Sequence, residues 1–177
     1  MTGRHKSLSY LAFLAVGLAG GASSASASGD ASGRCPTREL RLQVGAYGEA
    51  ATQFMQTLTF TNTSSRTCAL AGWPSVRVKD GPAVTIVRVV QGPLGARPFR
   101  RVLLRSRGAA SFDIYGADWN VGADRPCPKA SALLVTPPGN RAALRIRIRL
   151  PDCGRLYVAP LIPGRRDRLS WSRVWNA

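Results

Sequence analysis

Along most of the chain, hydrophobic residues recur at every second position, the period of a strand with one buried face rather than of an amphipathic helix. In "ELRLQVGAY", Leu40, Leu42 and Val44 alternate with Arg41 and Gln43. "FMQTLTFTN" sets Phe54, Gln56, Leu58 and Phe60 on one face and Met55 with three threonines on the other. "SVRVKDG" alternates Val76 and Val78 with Arg77 and Lys79, then stops at Asp80-Gly81, a turn dipeptide. "VTIVRVV" is more uniformly apolar, which predicts a strand covered on both faces. "RVLL", "AASFDIY", "ALLVT", "AALRIRIRL" and "RLYVAPL" complete the set, with "RSRG", "PPGN" and "DCG" as turns. No long amphipathic helix is visible before the C-terminus. The pattern predicts an all-β chain, an immunoglobulin-like antiparallel β-sandwich of about seven to nine strands.

The first residues break this pattern. Arg4, His5 and Lys6 precede the apolar "LSYLAFLAVGLAGGA" and the small-residue "ASA" of Ala25 to Ala27, the layout of a secretory signal peptide over residues 1–27. The apolar run is short and diluted by Gly and Ser, whereas a spanning helix needs about 20 apolar residues. Residues 28–34, "SGDASGR", read as a flexible linker. The same "SGR" before Cys35 lacks the small apolar residues that lipid attachment would require. The expectation is therefore an exported protein, with no transmembrane segment in the mature chain and a sandwich domain over 35–164. Its 177 residues and 45% hydrophobic content suffice for one domain with a real core.

Export changes the meaning of the cysteines. Cys35, Cys68, Cys127 and Cys153 form an even set in an oxidising compartment, which reads as two disulfides. Of the three possible pairings, order along the chain favours Cys35 with Cys68 and Cys127 with Cys153, since each pair brackets a block of strand-like sequence. No C-x-x-C spacing exists, and His5 is lost with the signal peptide, so a zinc site is not indicated.

Leu58 to Val78, "LTFTNTSSRTCALAGWPSVRV", reads as one stapled corner: a strand ending at Phe60, a polar turn, and Cys68 fastening the next strand. Trp73 is expected to pack in the core beside a proline-broken edge. Asn62-Thr63-Ser64 also spells a glycosylation sequon. Together with "ASFDIYGADW", "LLVTPPGNRAAL" and the flanking cysteines, this stretch resembles the actinobacterial exported domain of unknown function numbered 4232. The resemblance covers Cys35 to Pro160. It implies a secreted or lipid-anchored β-sandwich with no assigned activity and transfers no catalytic residue. "RSRG" stands where a Pro-Gly turn is common in that family, and the basic C-terminal tail is a second departure.

Candidate chemistry narrows quickly. Without a histidine in the mature chain there is no Ser-His-Asp triad and no Cys-His pair, and a Ser-x-x-Lys arrangement is also missing. Asp113, Asp118, Asp124 and Asp152 could supply a glycosidase-like acid and base, but scattered turn aspartates are more often caps. Asp118, Asn120 and Asp124 lack a calcium-loop motif. The reading is a non-enzyme that needs no cofactor or metal.

Charge is the remaining signal. The chain has 25 basic and 9 acidic residues, a net charge of +16; loss of Arg4 and Lys6 with the signal peptide leaves +14. Codon bias toward arginine explains the ratio of Arg to Lys better than it explains the scarcity of acids. In "RAALRIRIRL", Arg141, Arg145, Arg147 and Arg149 fall opposite Leu144, Ile146, Ile148 and Leu150. This row fits either a solvated or edge-protecting face or a polyanion-binding stripe. The tail over 165–177 interleaves Arg165, Arg166, Arg168 and Arg173 with Trp171 and Trp175, suited to a membrane interface or to stacking, or else to packing back on the sandwich. These ten residues are the candidate contacts of a non-catalytic envelope module whose partner is an anionic lipid, a wall polymer or a protein. A general polyanion or extracellular nucleic-acid binder is the alternative, followed by a carbohydrate-active enzyme.

Overall fold

The computed structural model describes residues 33–80, 83–86 and 100–168. The Leu169 to Ala177 part of the tail, with Trp171, Arg173 and Trp175, lies outside the described residues, as does the signal-peptide segment. Within them the chain is all-β, apart from a 3-10 turn at Thr37–Glu39. Among the described residues no helix is long and apolar enough to cross a membrane.

Two antiparallel sheets carry the fold. In the first, β1 (Leu40–Ala50), β2 (Gln53–Asn62), β7 (Ala109–Ala117) and β12 (Leu156–Val158) lie in that order, and β13 (Ile162–Pro163) also pairs with β7. In the second the order is β11 (Leu144–Pro151), β10 (Lys129–Thr136), β4 (Ser75–Asp80) and β5 (Ala83–Ile86). Two short ladders sit beside them: β3 (Cys68–Leu70) with β6 (Val102–Leu104), and β8 (Trp119–Asn120) with β9 (Arg125–Pro126). The strand count exceeds the expected seven to nine because ladders of two or three residues are too short to show an alternation. Phe54, Leu58, Phe60, Phe112 and Ile114 from the first sheet and Val76, Val78, Leu133, Val135 and Leu150 from the second form one buried cluster. The inner faces therefore share a core, as a sandwich requires.

The disulfides are Cys35–Cys68 and Cys127–Cys153, the pairing that chain order favoured. Cys35 is also held by backbone bonds, its N–H donating to Ala69 O at 3.0 Å. The "PPGN" turn docks on it: Asn140 Nδ2 donates to Cys35 O at 3.0 Å, and Asn140 Oδ1 accepts from Thr37 N at 3.2 Å. Gly139 in that turn has φ +69°, a conformation that favours glycine. Arg34, assigned to the flexible linker by sequence, bridges to Ala69 and donates to Gly139 O at 2.6 Å. The last linker residue is thereby pinned to the domain.

Asn62 explains the polar turn. Its side chain, fully buried, accepts from Ser64 N at 3.0 Å and Ser64 Oγ at 2.8 Å. It also donates to Arg66 O at 2.7 Å and Leu104 O at 3.0 Å, joining two loops. An amide so enclosed is no glycosylation acceptor. Asn62→Ala should cost about 2 kcal/mol or more, because buried carbonyls lose their donor. Asn62→Asp should cost more, since it turns a carboxylate oxygen toward those carbonyls. Urea unfolding of both variants checks the order.

Strand β2 departs from simple alternation. Phe54, Leu58 and Phe60 face the core, yet Met55, Thr57 and Thr59 on the other side are also buried. Part of the cover is the segment after β13. Ser111 Oγ donates to Gly164 O at 2.8 Å, and Thr59 pairs with Ser111 at 2.9 Å. Arg166 forms an ion pair with Asp113, whose other oxygen accepts from Thr57 Oγ1 at 2.7 Å. A Cβ at Gly45 would stand 3.3 Å from Arg166 O, so glycine there admits the close approach. Gln56, the polar residue on the inner face, serves the β1 bulge by donating to Gly45 O and Ala46 O, each at 3.1 Å.

Candidate functional site

The register of the second sheet decides which cations share a face. Leu134 on β10 lies opposite Arg145 on β11 and Arg77 on β4. Two residues back, Ala132 lies opposite Arg147 and Lys79. The outer face thus carries two rungs in which a small or aliphatic residue is flanked by two cations. With strands about 4.8 Å apart, the flanking backbones are roughly 10 Å apart, near the Debye length at physiological salt.

Arg77, Arg145, Arg147 and Arg149 are exposed, whereas Leu144, Ile146 and Ile148 turn toward the core. Residues 75–79, 129–136 and 144–151 contain no acid. Among the described residues the ion pairs are Arg38–Glu39, Arg66–Glu39 and Arg166–Asp113, and none lies on this face. A register shift between Ala130 and Ala132 opens a groove of about 530 Å³ lined by Lys129, Ser131, Arg147 and Arg149. Ser131 Oγ donates to Lys79 O at 3.1 Å and still has lone pairs to accept.

The other candidate cations are elsewhere. Arg141 is exposed in the loop before β11. Arg165 donates to Gln43 Oε1 at 2.8 Å and Thr61 Oγ1 at 3.3 Å, on the outer face of the first sheet. Arg166, read from sequence as an anion contact, is instead committed to Asp113 and half-buried, because β13 returns the chain across that sheet. Arg168 is exposed beyond it. The arginine row and the first tail arginines therefore do not form one surface. Arg77, Lys79 and Lys129 were not among the cations singled out from the sequence; the alternation of "SVRV" carried the signal for the first two, but only strand pairing places them on the face they share with β11.

The aspartates also scatter. Asp113 is held by Arg166 and Thr57, Asp152 Oδ1 accepts from Gly154 N at 2.8 Å, and Asp124 lies in the β8–β9 turn. Asn120 Oδ1 accepts from Ala123 N at 3.1 Å in the same turn. Among the described residues no group of three or more His, Cys, Asp or Glu is placed to hold a metal ion. Asp118 lines a cleft together with Glu49, Trp119 and Lys129. Trp73 is half-buried.

The buried cystine at Cys35, the Asn62 turn, the docked "PPGN" loop and β7 all fall within one match. A family model described as a domain of unknown function, DUF4232, covers residues 35–161. The chain belongs to that family. The DUF4232 region includes both disulfides and the whole basic face, and it ends before the Arg165–Arg166 segment that crosses the first sheet. No curated protein and no solved structure matches the chain.

Proposed function

We propose that this DUF4232 domain is a non-catalytic, exported interaction module that docks on anionic components of the cell envelope through the outer face of its second sheet. One observation carries the reading. Arginines on β11 alone would be explained by protection of an edge strand. Arg77 and Lys79, however, stand on β4, between β10 and β5 in the sheet, where no edge needs protecting. Cations on both flanks of β10, with no acid between them, match an extended negative surface. The two disulfides are in keeping with an oxidising, extracytoplasmic location, and the signal-like N-terminus supplies the route.

The test is co-sedimentation of residues 28–177 with phosphatidylglycerol vesicles and with isolated wall polymer, at low and high salt. Near an anionic surface each cation contributes about 1 kcal/mol, so R145Q/R147Q/R149Q should weaken vesicle binding by about 100-fold. Retention should also collapse at high salt. Unchanged retention in the triple variant would refute the assignment. Equal binding to vesicles, wall polymer and duplex DNA, all salt-sensitive, would favour the general polyanion reading instead.

A further inference from the structure

The basic groove does not end on its own sheet. Lys129 lines it on one side and on the other lines the cleft of about 400 Å³ that holds Glu49, Asp118 and Trp119. The two depressions are therefore neighbours with one shared wall and opposite charge. Pro151 lines the cleft and Arg149 the groove, two residues apart on β11. That separation is about 7 Å along a strand. In a chain with only 9 acidic residues, two on one cleft wall are a concentration of negative charge.

The cleft is also held in shape. Asp118 N donates to Thr52 O at 3.1 Å, Cys127 N donates to Asp118 O at 2.9 Å, and the Cys127–Cys153 disulfide anchors the wall. Tyr47 donates to Glu49 Oε1. The Tyr47 phenol, 43% exposed, is pushed up by partial burial, then by the bond and charge of Glu49 and the charge of Asp118, in keeping with the two carboxylates lining one cleft.

We propose that these two adjoining depressions together bind a phosphate–ammonium zwitterion, with the phosphate in the basic groove, the ammonium in the acidic, tryptophan-lined cleft, and Lys129 between them. Arg147, Arg149 and Lys129 supply charge-assisted donors for phosphate oxygens. Glu49 and Asp118 accept from the ammonium, and Trp119 offers a π-face to a cation. The proposal rests on the anionic-surface reading and narrows it to a headgroup chemistry, one that a lipid or a free phosphoester can present.

The probes are O-phosphoethanolamine, inorganic phosphate and ethanolamine, titrated into residues 28–177 and followed by backbone amide shifts. O-phosphoethanolamine should bind ~10-fold more tightly than inorganic phosphate. E49Q/D118N should lower it to the phosphate value without weakening phosphate itself, and R147Q/R149Q should weaken both. Equal affinity of the wild type for O-phosphoethanolamine and phosphate overturns the zwitterion site while leaving the basic face intact. Failure to bind phosphate, together with no retention on phosphatidylglycerol vesicles, overturns both readings. Vesicles that mix phosphatidylethanolamine with phosphatidylglycerol separate the sources. Tighter retention than on matched vesicles without the ethanolamine lipid assigns the lipid headgroup, and equal retention beside selective binding of the free probe assigns a soluble phosphoester.

Discussion

Cys35→Ala with Cys68→Ala should lower the unfolding free energy by more than loss of Cys127–Cys153, although the two closed loops are alike in length. Sequence separations of 33 and 26 residues correspond to about 3.5–4 kcal/mol each in the chain-entropy model. Packing separates them. Cys35 and Cys68 are 0% and 5% exposed and belong to the central cluster, whereas Cys153 is half-buried at the rim. Alanine at the first pair leaves a void among core side chains, adding about 1 kcal/mol. Urea unfolding of the two double variants should therefore show losses of about 4–5 and about 3.5 kcal/mol. Equal losses would mean that the buried sulfurs contribute no packing. Loss of the second disulfide should in addition weaken binding of O-phosphoethanolamine, because that bond anchors the cleft beside Lys129.

The Arg166–Asp113 pair should respond asymmetrically to its two deletions. The side chains are 16% and 11% exposed, so each charge depends on the other. Arg166→Ala leaves the Asp113 carboxylate fixed in the middle of β7, a strand bonded on both sides, with the Thr57 hydroxyl as its remaining side-chain partner. Removal of one partner from such a pair costs about 3 kcal/mol or more. Asp113→Asn leaves the charge on a segment held to the sheet by β13, the Ser111–Gly164 bond and the contacts of Arg165 with Gln43 and Thr61, but the long Arg166 side chain lies past these on the outer face and can swing into solvent. The loss should then be about 1–2 kcal/mol, mainly from the weakened Thr57 bond. The double variant should be no less stable than Arg166→Ala alone, since asparagine removes the stranded charge. Thermal or urea unfolding gives the comparison. An Asp113→Asn loss as large as that of Arg166→Ala would show that the segment cannot release its arginine.

These cases mark how far the one-dimensional pattern reaches. The alternation in β4 and β11 was legible because each has one face in the core and one in water, and side chains in a strand alternate strictly; in β1 it held for Leu40 and Leu42 but failed at Val44, which is 46% exposed where a bulge begins. In β2 the same reading correctly set Phe54, Leu58 and Phe60 on one inward face, but it gave no sign that Met55, Thr57 and Thr59 on the other face are buried as well. A later segment buries part of that side, and nothing within residues 53–62 records its presence. Arg166 illustrates the converse. In "GRRDR" it is indistinguishable from Arg165 and Arg168, and only the turn after β13 sets it over Asp113. The Glu49 and Asp118 wall was half visible, because Asp118 was noticed as a carboxylate while its neighbour lay on β1, in an unrelated part of the sequence.

The sequence by itself determined the all-β class, the inner face of the main strands and the disulfide pairing favoured by chain order. All of these follow from local periodicity or from order along the chain. The tertiary structure alone decided which cations act together. Register across β10 brings Arg77 and Lys79 into line with Arg145 and Arg147, and the β13 turn diverts Arg166 into an ion pair. A guanidinium's electrostatic role depends on the charges within about a Debye length of it, and for these residues most of those neighbours are distant in sequence.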